Sequence, residues 1–218
     1  MRLYIDPVST SCRAVVATVH ALGLELERVD LSLMRGEHLA PSFRAVSPAG
    51  KVPVLVDRDF TLTESAAILR YLCDLTGSPL GGRGDQGRAR VNEALHWFSS
   101  TIAVHFCQGL VYPRLLPHFR YDDPAVAAAT RERAEAGAEA ALDHLNGRIL
   151  QSRPYVAGDE LTIADFVGMG MLSIGEMIGF SFDDWPEVKD WMALVSAAPG
   201  WSALDREIRL LMVPPAER

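Results

Sequence analysis

The stretch from Ala49 to Leu72, AGKVPVLVDRDFTLTESAAILRYL, constrains this chain more than any other. Val52-Pro53 stands just before the run Val54-Leu55-Val56. Proline has no N–H for a sheet ladder, so it belongs at the beginning of a strand, where a cis bond is also accommodated. A cis turn there leaves the N–H and C=O of Val52 pointing away from the sheet, open to strand-like pairing with an extended, peptide-like ligand. Further on, Thr63-Glu64-Ser65 precedes Ala67, Ile68, Tyr71 and Leu72 at helical spacing, which places Ser65 at or near a helix N-terminus. Unpaired N–H groups at such an end attract a carboxylate. Thr63 as an N-cap, with Glu64 as a first-turn charge, accounts for the same residues without a ligand. Taken together, the two devices suit a small anionic peptide.

A chain of 218 residues can bury one sizeable core or two small ones. Cys12, Cys73 and Cys107 are odd in number and far apart, which argues against a disulfide framework or a CxxC metal site and fits a reducing, cytoplasmic setting. No HExxH or paired metal spacing occurs among the histidines, so no metal is expected. The first residues, MRLYIDP, enter a strand pattern directly and lack the layout of a signal peptide. No apolar run has the length of a membrane span. A net charge of -7 and a pI near 5.4 lack the basic footprint of a nucleic-acid binder, so attraction for an anion has to be local.

In order, Leu3 to Ile5 reads as a strand and Cys12 to Leu22 as a helix closed by Gly23. Leu26 to Leu31 reads as a second strand, and the Val54 strand pairs with Phe60-Thr61-Leu62 as a hairpin ahead of the Glu64 helix. The resulting β-α-β-α-β-β-α order suits an α/β layer with one parallel pair and one antiparallel hairpin. Gly and Pro gather between Thr76 and Gly82, where periodicity stops. Beyond them the pattern is helical throughout: Gln86 to about Tyr112, Ala125 to about Leu150, Thr162 to about Gly179, Pro186 to about Ala198 and Trp201 to about Met212. The expected division is residues 1–78, a linker at 79–85, and an all-helical domain at 86–218. Thr162 and Asp165 have capping-box spacing, which assigns Asp165 to folding and not to acid-base chemistry.

Ser9-Thr10-Ser11-Cys12-Arg13 lies between the first strand and the first helix, where a hydroxyl either caps the helix or meets a ligand beside free N–H groups. Cys12 offers a competing thiol chemistry, because a helix N-terminus can depress a thiol pKa; as a small core residue it would have none.

GKVPVLVD followed by TLTESAAILRYL resembles the glutathione-binding half of the cytosolic glutathione transferases. STSCRAV, VDLSLMRGEHL and LTIADF extend the resemblance over the whole chain, and it is nearest to the theta class. The resemblance implies a thioredoxin-like α/β N-terminal domain, an all-α C-terminal domain, a homodimer, and glutathione as co-substrate in detoxification. Ser9 aligns with the hydroxyl that donates to the glutathione sulfur. The family has proline where this chain has Ser11, so a second hydroxyl is available. Val52, Pro53, Glu64 and Ser65 would hold the tripeptide, with His38 of GEHL at its glycyl carboxylate and Lys51 as a second positive partner. An electrophile pocket would draw on Val104, His105, Tyr112, Leu211 and Met212, all equally good as core residues. The alternatives are a catalytically silent binding module on the same fold, a zeta-like isomerase, and a Cys-dependent thiol transferase.

Overall fold

The structure, a computed structural model, describes residues 1–212, with side chains through Ile208. The chain folds as β1 (Arg2–Ile5), α1 (Thr10–Leu22), β2 (Glu27–Asp30), α2 (Pro41–Arg44), β3 (Val54–Asp57), β4 (Phe60–Thr63) and α3 (Ser65–Thr76). There follow α4 (Gly84–Trp97), which runs on through a π-helix (Phe98–Val111) into α5 (Tyr112–Leu115), then α6 (Pro124–His144), α7 (Ile163–Leu172), α8 (Pro186–Ala197) and α9 (Pro199–Met212). Two compact units result. One is Met1–Gly81 together with the C-terminal segment from Ala197, and the other is Gly82–Ser196.

The first unit is a mixed four-stranded sheet in the order β2-β1-β3-β4, with a thioredoxin-like topology. β1 and β2 are parallel, with Ile5 opposite Asp30. β3 runs antiparallel to β1, with Val54 opposite Tyr4, and β4 antiparallel to β3, with Thr63 opposite Val54. This register brings the outgoing ends of β1, β2 and β4 and the incoming end of β3 to the same end of the sheet. Leu3, Ile5, Val54 and Leu55 from the strands and Val15, Val16, Ile68, Leu69 and Leu72 from the helices are buried in its core. Helix α1 stops at Gly23 (φ 61°), whose N–H bonds to the His20 carbonyl while Leu24 reaches back to Val19. A side chain is disfavoured in that left-handed geometry, hence the glycine.

Helix α9 is the last element of this first unit and lies on α1. Trp201 and Leu204 are buried, and a Cβ on Gly200 would overlap the Ala17 carbonyl, so the close approach needs glycine. Glu207 receives the Arg28 guanidinium, and His20 Nε2 lies 3.3 Å from its other oxygen.

In the helical unit, Phe98, Ile102, Phe106 and Leu110 are buried along the π-wound stretch. A repeat of every fourth residue keeps one face under either an α or an i→i+5 winding, so the apolar pattern predicts a helix without its winding. Rings from this stretch lie over glycines, Phe98 over Gly168 and His105 over Gly137, where a Cβ would overlap them. Asp165, fully buried, accepts from Val156 N (2.9 Å) and Trp191 Nε1 (2.9 Å) on one oxygen, and from Thr162 N and Thr162 Oγ1 (both 2.8 Å) on the other. Burial pushes its carboxyl up, and these donors pull it back. The capping box expected at Thr162 is present, with the turn at Val156 and α8 tied into it through the same carboxylate. Among the described residues, no helix is long and apolar enough to cross a membrane.

Candidate functional site

Four connections leave the shared end of the sheet. They are the turn after β1 with Ser9, the loop after β2 with His38, the Val52-Pro53 entry to β3, and the Glu64-Ser65 step from β4 into α3. Open α/β sheets bind ligands beyond their strand ends, because loops can vary there while the sheet holds them in place.

Ser9 is the N-cap residue of α1, in extended backbone (φ -65°, ψ 128°), yet its side chain makes no capping bond. Its hydroxyl instead hydrogen-bonds with the Cys12 thiol. Ser11, half-buried in the first turn of α1, has a hydroxyl without a partner among the described residues. Cys12 is fully buried, and burial pushes its thiol up to about 12 against opposing hydrogen bonds from the Asp6 backbone and Ser9. A protonated, inaccessible thiol is neither nucleophile nor redox centre. Cys12 is therefore part of the core.

The Val52-Pro53 bond is cis. The N–H and C=O of Val52 make no hydrogen bond among the described residues. Lys51 is exposed, its backbone held by the Ser47 hydroxyl, which donates to the Lys51 carbonyl at 3.1 Å. Glu64, and not Thr63, is the N-cap position of α3, and it makes no side-chain cap. Its φ of 67° and ψ of 114° are costly for a residue with a Cβ, at about 1–3 kcal/mol, and such outliers gather at ligand clamps. Its carbonyl accepts from Ala67 and Ile68 at 3.0 Å, so the N–H groups of Ser65 and Ala66 stay open. His38 stands in a 3₁₀ turn (Glu37–Leu39), and its Nδ1 is buried without a hydrogen-bond partner among the described residues. Buried polar atoms are ordinarily paired, so this nitrogen, in the loop that follows β2, is available to a ligand.

The residues expected around an electrophile are less concentrated. Val104 is exposed, His105 is taken up in packing over Gly137, and Tyr112 meets Phe119 edge-on at 5.0 Å. The side chains of Leu211 and Met212 lie outside the described residues. Two clefts of the helical unit, about 510 and 430 Å³, are bordered by other residues, among them Leu110, Arg114, Trp185 and Tyr121.

One residue at this sheet end escaped the sequence pattern. Asp6 is buried with 3% exposure and takes Val8 N on Oδ1 and Leu33 N on Oδ2, both at 2.8 Å. An Asp directly before Pro7 is a turn signal that would have marked it.

Comparison with known proteins bears directly on this arrangement. The family described as Glutathione S-transferase, N-terminal domain, matches residues 1–74, and Glutathione S-transferase, C-terminal domain, matches residues 105–199. A delta-class glutathione transferase of Nilaparvata lugens is similar at 31% identity, covering 94% of this chain and 93% of its own, with a TM-score of 0.82. Human glutathione-S-transferase T1-1 in its apo form is similar at 32% identity, covering 96% and 88%, with a TM-score of 0.81. A glutathione transferase homologue from Sulfitobacter, solved with bound glutathione, shares the fold at 22% identity and a TM-score of 0.79. With both domain families matched in order and two relatives above 30% identity over nearly its whole length, the chain belongs to the glutathione S-transferase family.

Proposed function

We propose that this glutathione transferase binds glutathione at the strand ends of its first unit and activates the thiol through the Ser9 hydroxyl, for attack on a small hydrophobic electrophile. The observation that carries the reading is the register of the sheet, which sends Ser9, His38, Val52 and Ser65 out from one end. In this reading the open N–H and C=O of Val52 pair with the cysteinyl backbone. Ser65, with the free N–H groups that open α3, takes a carboxylate, and Glu64 faces the ligand's ammonium. His38 and Lys51 meet the glycyl carboxylate.

The chemical task is deprotonation. A free thiol with a pKa of about 8.5 is only ~3% ionised at pH 7, and lowering that pKa by about 2 units, worth about 2.7 kcal/mol, makes most of it thiolate. One hydrogen bond from a hydroxyl to the charged sulfur contributes about 1.5–3 kcal/mol, and the start of α1 adds about 0.3–1 kcal/mol. Together they suffice, and the proton leaves to water. Ser9 already hydrogen-bonds a sulfur, that of Cys12, and turning the hydroxyl toward glutathione exchanges one such bond for a stronger, charge-assisted one. The electrophile then needs only to be held against the thiolate.

The test compares Ser9→Ala, Ser11→Ala and Ser65→Ala by bound-thiol pKa, kcat and glutathione affinity. Ser9→Ala is expected to raise the bound-thiol pKa by about 1–2 units and to lower kcat with little change in affinity. Ser65→Ala is expected to weaken affinity first. An unmoved thiol pKa in Ser9→Ala with a raised one in Ser11→Ala transfers the role to Ser11. A panel of aryl halides, alkyl halides, epoxides, peroxides and maleylacetoacetate then assigns the electrophile. The theta-like character and a homodimer belong to the same reading. It is supported by the likeness to human T1-1 and by the exposed Phe60 and Leu75 on the first unit. Sedimentation equilibrium at the mass of a single chain across micromolar concentrations would remove the dimer.

A further inference from the structure

Asp6 is buried to 3% exposure, and both of its carboxyl oxygens accept from backbone amides. Burying a polar group costs free energy unless its atoms are hydrogen-bonded, so a position that keeps a buried carboxyl has a use for both oxygens. Here each oxygen serves a different segment. Oδ1 accepts from Val8 N at 2.8 Å, inside the turn that carries Ser9. Oδ2 accepts from Leu33 N at 2.8 Å, at the start of the loop that carries His38. The Asp6 carbonyl accepts from Ser9 N at 3.1 Å. Beyond Leu33 the loop is closed on itself, with Gly36 N on the Leu33 carbonyl at 3.0 Å and Ser32 N on Glu37 Oε2 at 2.7 Å, so the Leu33 anchor is transmitted to the turn holding His38.

We propose that Asp6 is the positioning residue of this active site, a carboxylate clamp that fixes the Ser9 turn against the His38 loop. The proposal rests on Ser9 being the thiol activator. An asparagine cannot replace it, because its single carbonyl oxygen leaves either Val8 N–H or Leu33 N–H facing an NH₂. A clamp of this kind acts through geometry. A hydroxyl that wanders from the sulfur by an ångström loses most of its effect, since hydrogen bonds weaken steeply with distance and angle.

Asp6→Asn, Ser9→Ala and Asp165→Asn are compared by the ultraviolet absorbance of bound thiolate against pH, by glutathione affinity from calorimetry, and by Tm. Asp6→Asn is expected to raise the bound-thiol pKa by about one unit, a tenfold loss of thiolate below that pKa, and to weaken glutathione several-fold. Asp165→Asn lowers Tm and leaves the thiol pKa where it was. Asp6→Asn that lowers Tm but keeps the wild-type thiol pKa and affinity overturns the clamp and leaves Asp6 a turn stabiliser. If Ser9→Ala also fails to move the thiol pKa, the Ser9 reading is the part that fails. Moved by Ser9→Ala and unmoved by Asp6→Asn, it sinks the clamp alone. Should Asp6→Asn not fold, Asp6→Glu, with both oxygens kept but displaced by a methylene, carries the same comparison.

Discussion

Replacing Asp165 by asparagine changes few atoms and should cost much of the helical unit's stability. The carboxylate takes four hydrogen bonds, from Val156 N, Trp191 Nε1, Thr162 N and Thr162 Oγ1, all between 2.8 and 2.9 Å. Asparagine with its oxygen toward Val156 and Trp191 keeps two of them, reduced from about 1.5–3 to about 0.5–1.5 kcal/mol each by loss of charge. Its NH₂ then faces Thr162 N–H, which is left buried and unpaired for about 1–3 kcal/mol, while the threonine hydroxyl can turn to accept. Relief of a desolvated charge, the effect that pushes this carboxyl up, offsets part of the loss. The expected net is about 3 kcal/mol for Asp165→Asn and about 4–5 kcal/mol for Asp165→Ala, below the simple sum because the four bonds act as one network. Urea unfolding reports it, with Trp191, bonded to this carboxylate, as fluorescent reporter. A loss under about 1 kcal/mol for asparagine, or equal losses for both variants, would refute the reasoning.

Glu64→Gly should leave stability unchanged or improve it by about 1 kcal/mol, since glycine tolerates φ 67°, while weakening glutathione; calorimetry and Tm on the same sample decide it. The Cys12 and Cys107 thiols, each pushed up to about 12 by burial, bind their protons more tightly folded than unfolded, so stability is full below pH 9 and falls as pH rises toward 12. At pH 10 each should cost about 1.4 kcal/mol against pH 7, visible as a lower urea midpoint. Gly168→Ala and Gly137→Ala drive a methyl into the Phe98 and His105 rings and should each destabilise by about 1–3 kcal/mol in thermal melts.

Elements of this chain were legible where an apolar run at one period meets a Gly or Pro boundary. The start of β3 after Pro53 and the end of α1 at Gly23 both follow that rule. The π winding from Phe98 was not legible, since a four-residue repeat of buried side chains suits two windings. Within the candidate site, the main-chain devices at Val52 and Ser65 could be read from proline and from helix onset. Glu64's left-handed φ could not, because nothing in a TES tripeptide demands it. Asp6-Pro7 marks a turn in the sequence, but the reach of Asp6 to Leu33 is not legible there, because its partner is a backbone amide and amides leave no mark on composition.

Helix α9 also has a temporal meaning. The sheet, α1 and α3 are made from the first third of the chain, yet their compact unit includes a helix from its last residues, seated on α1 through Gly200, Trp201 and the Arg28–Glu207 pair. During synthesis the sheet emerges early and waits, its α1 face uncovered, until everything from Gly82 to Ser196 has been made. Domains generally fold as units in the order they emerge, and here that order is broken, since the second unit is the first to be complete. The waiting face is apolar surface open to solvent and to other chains. Truncation before Pro199 should therefore yield a protein whose helical unit folds and whose first unit is the aggregating part.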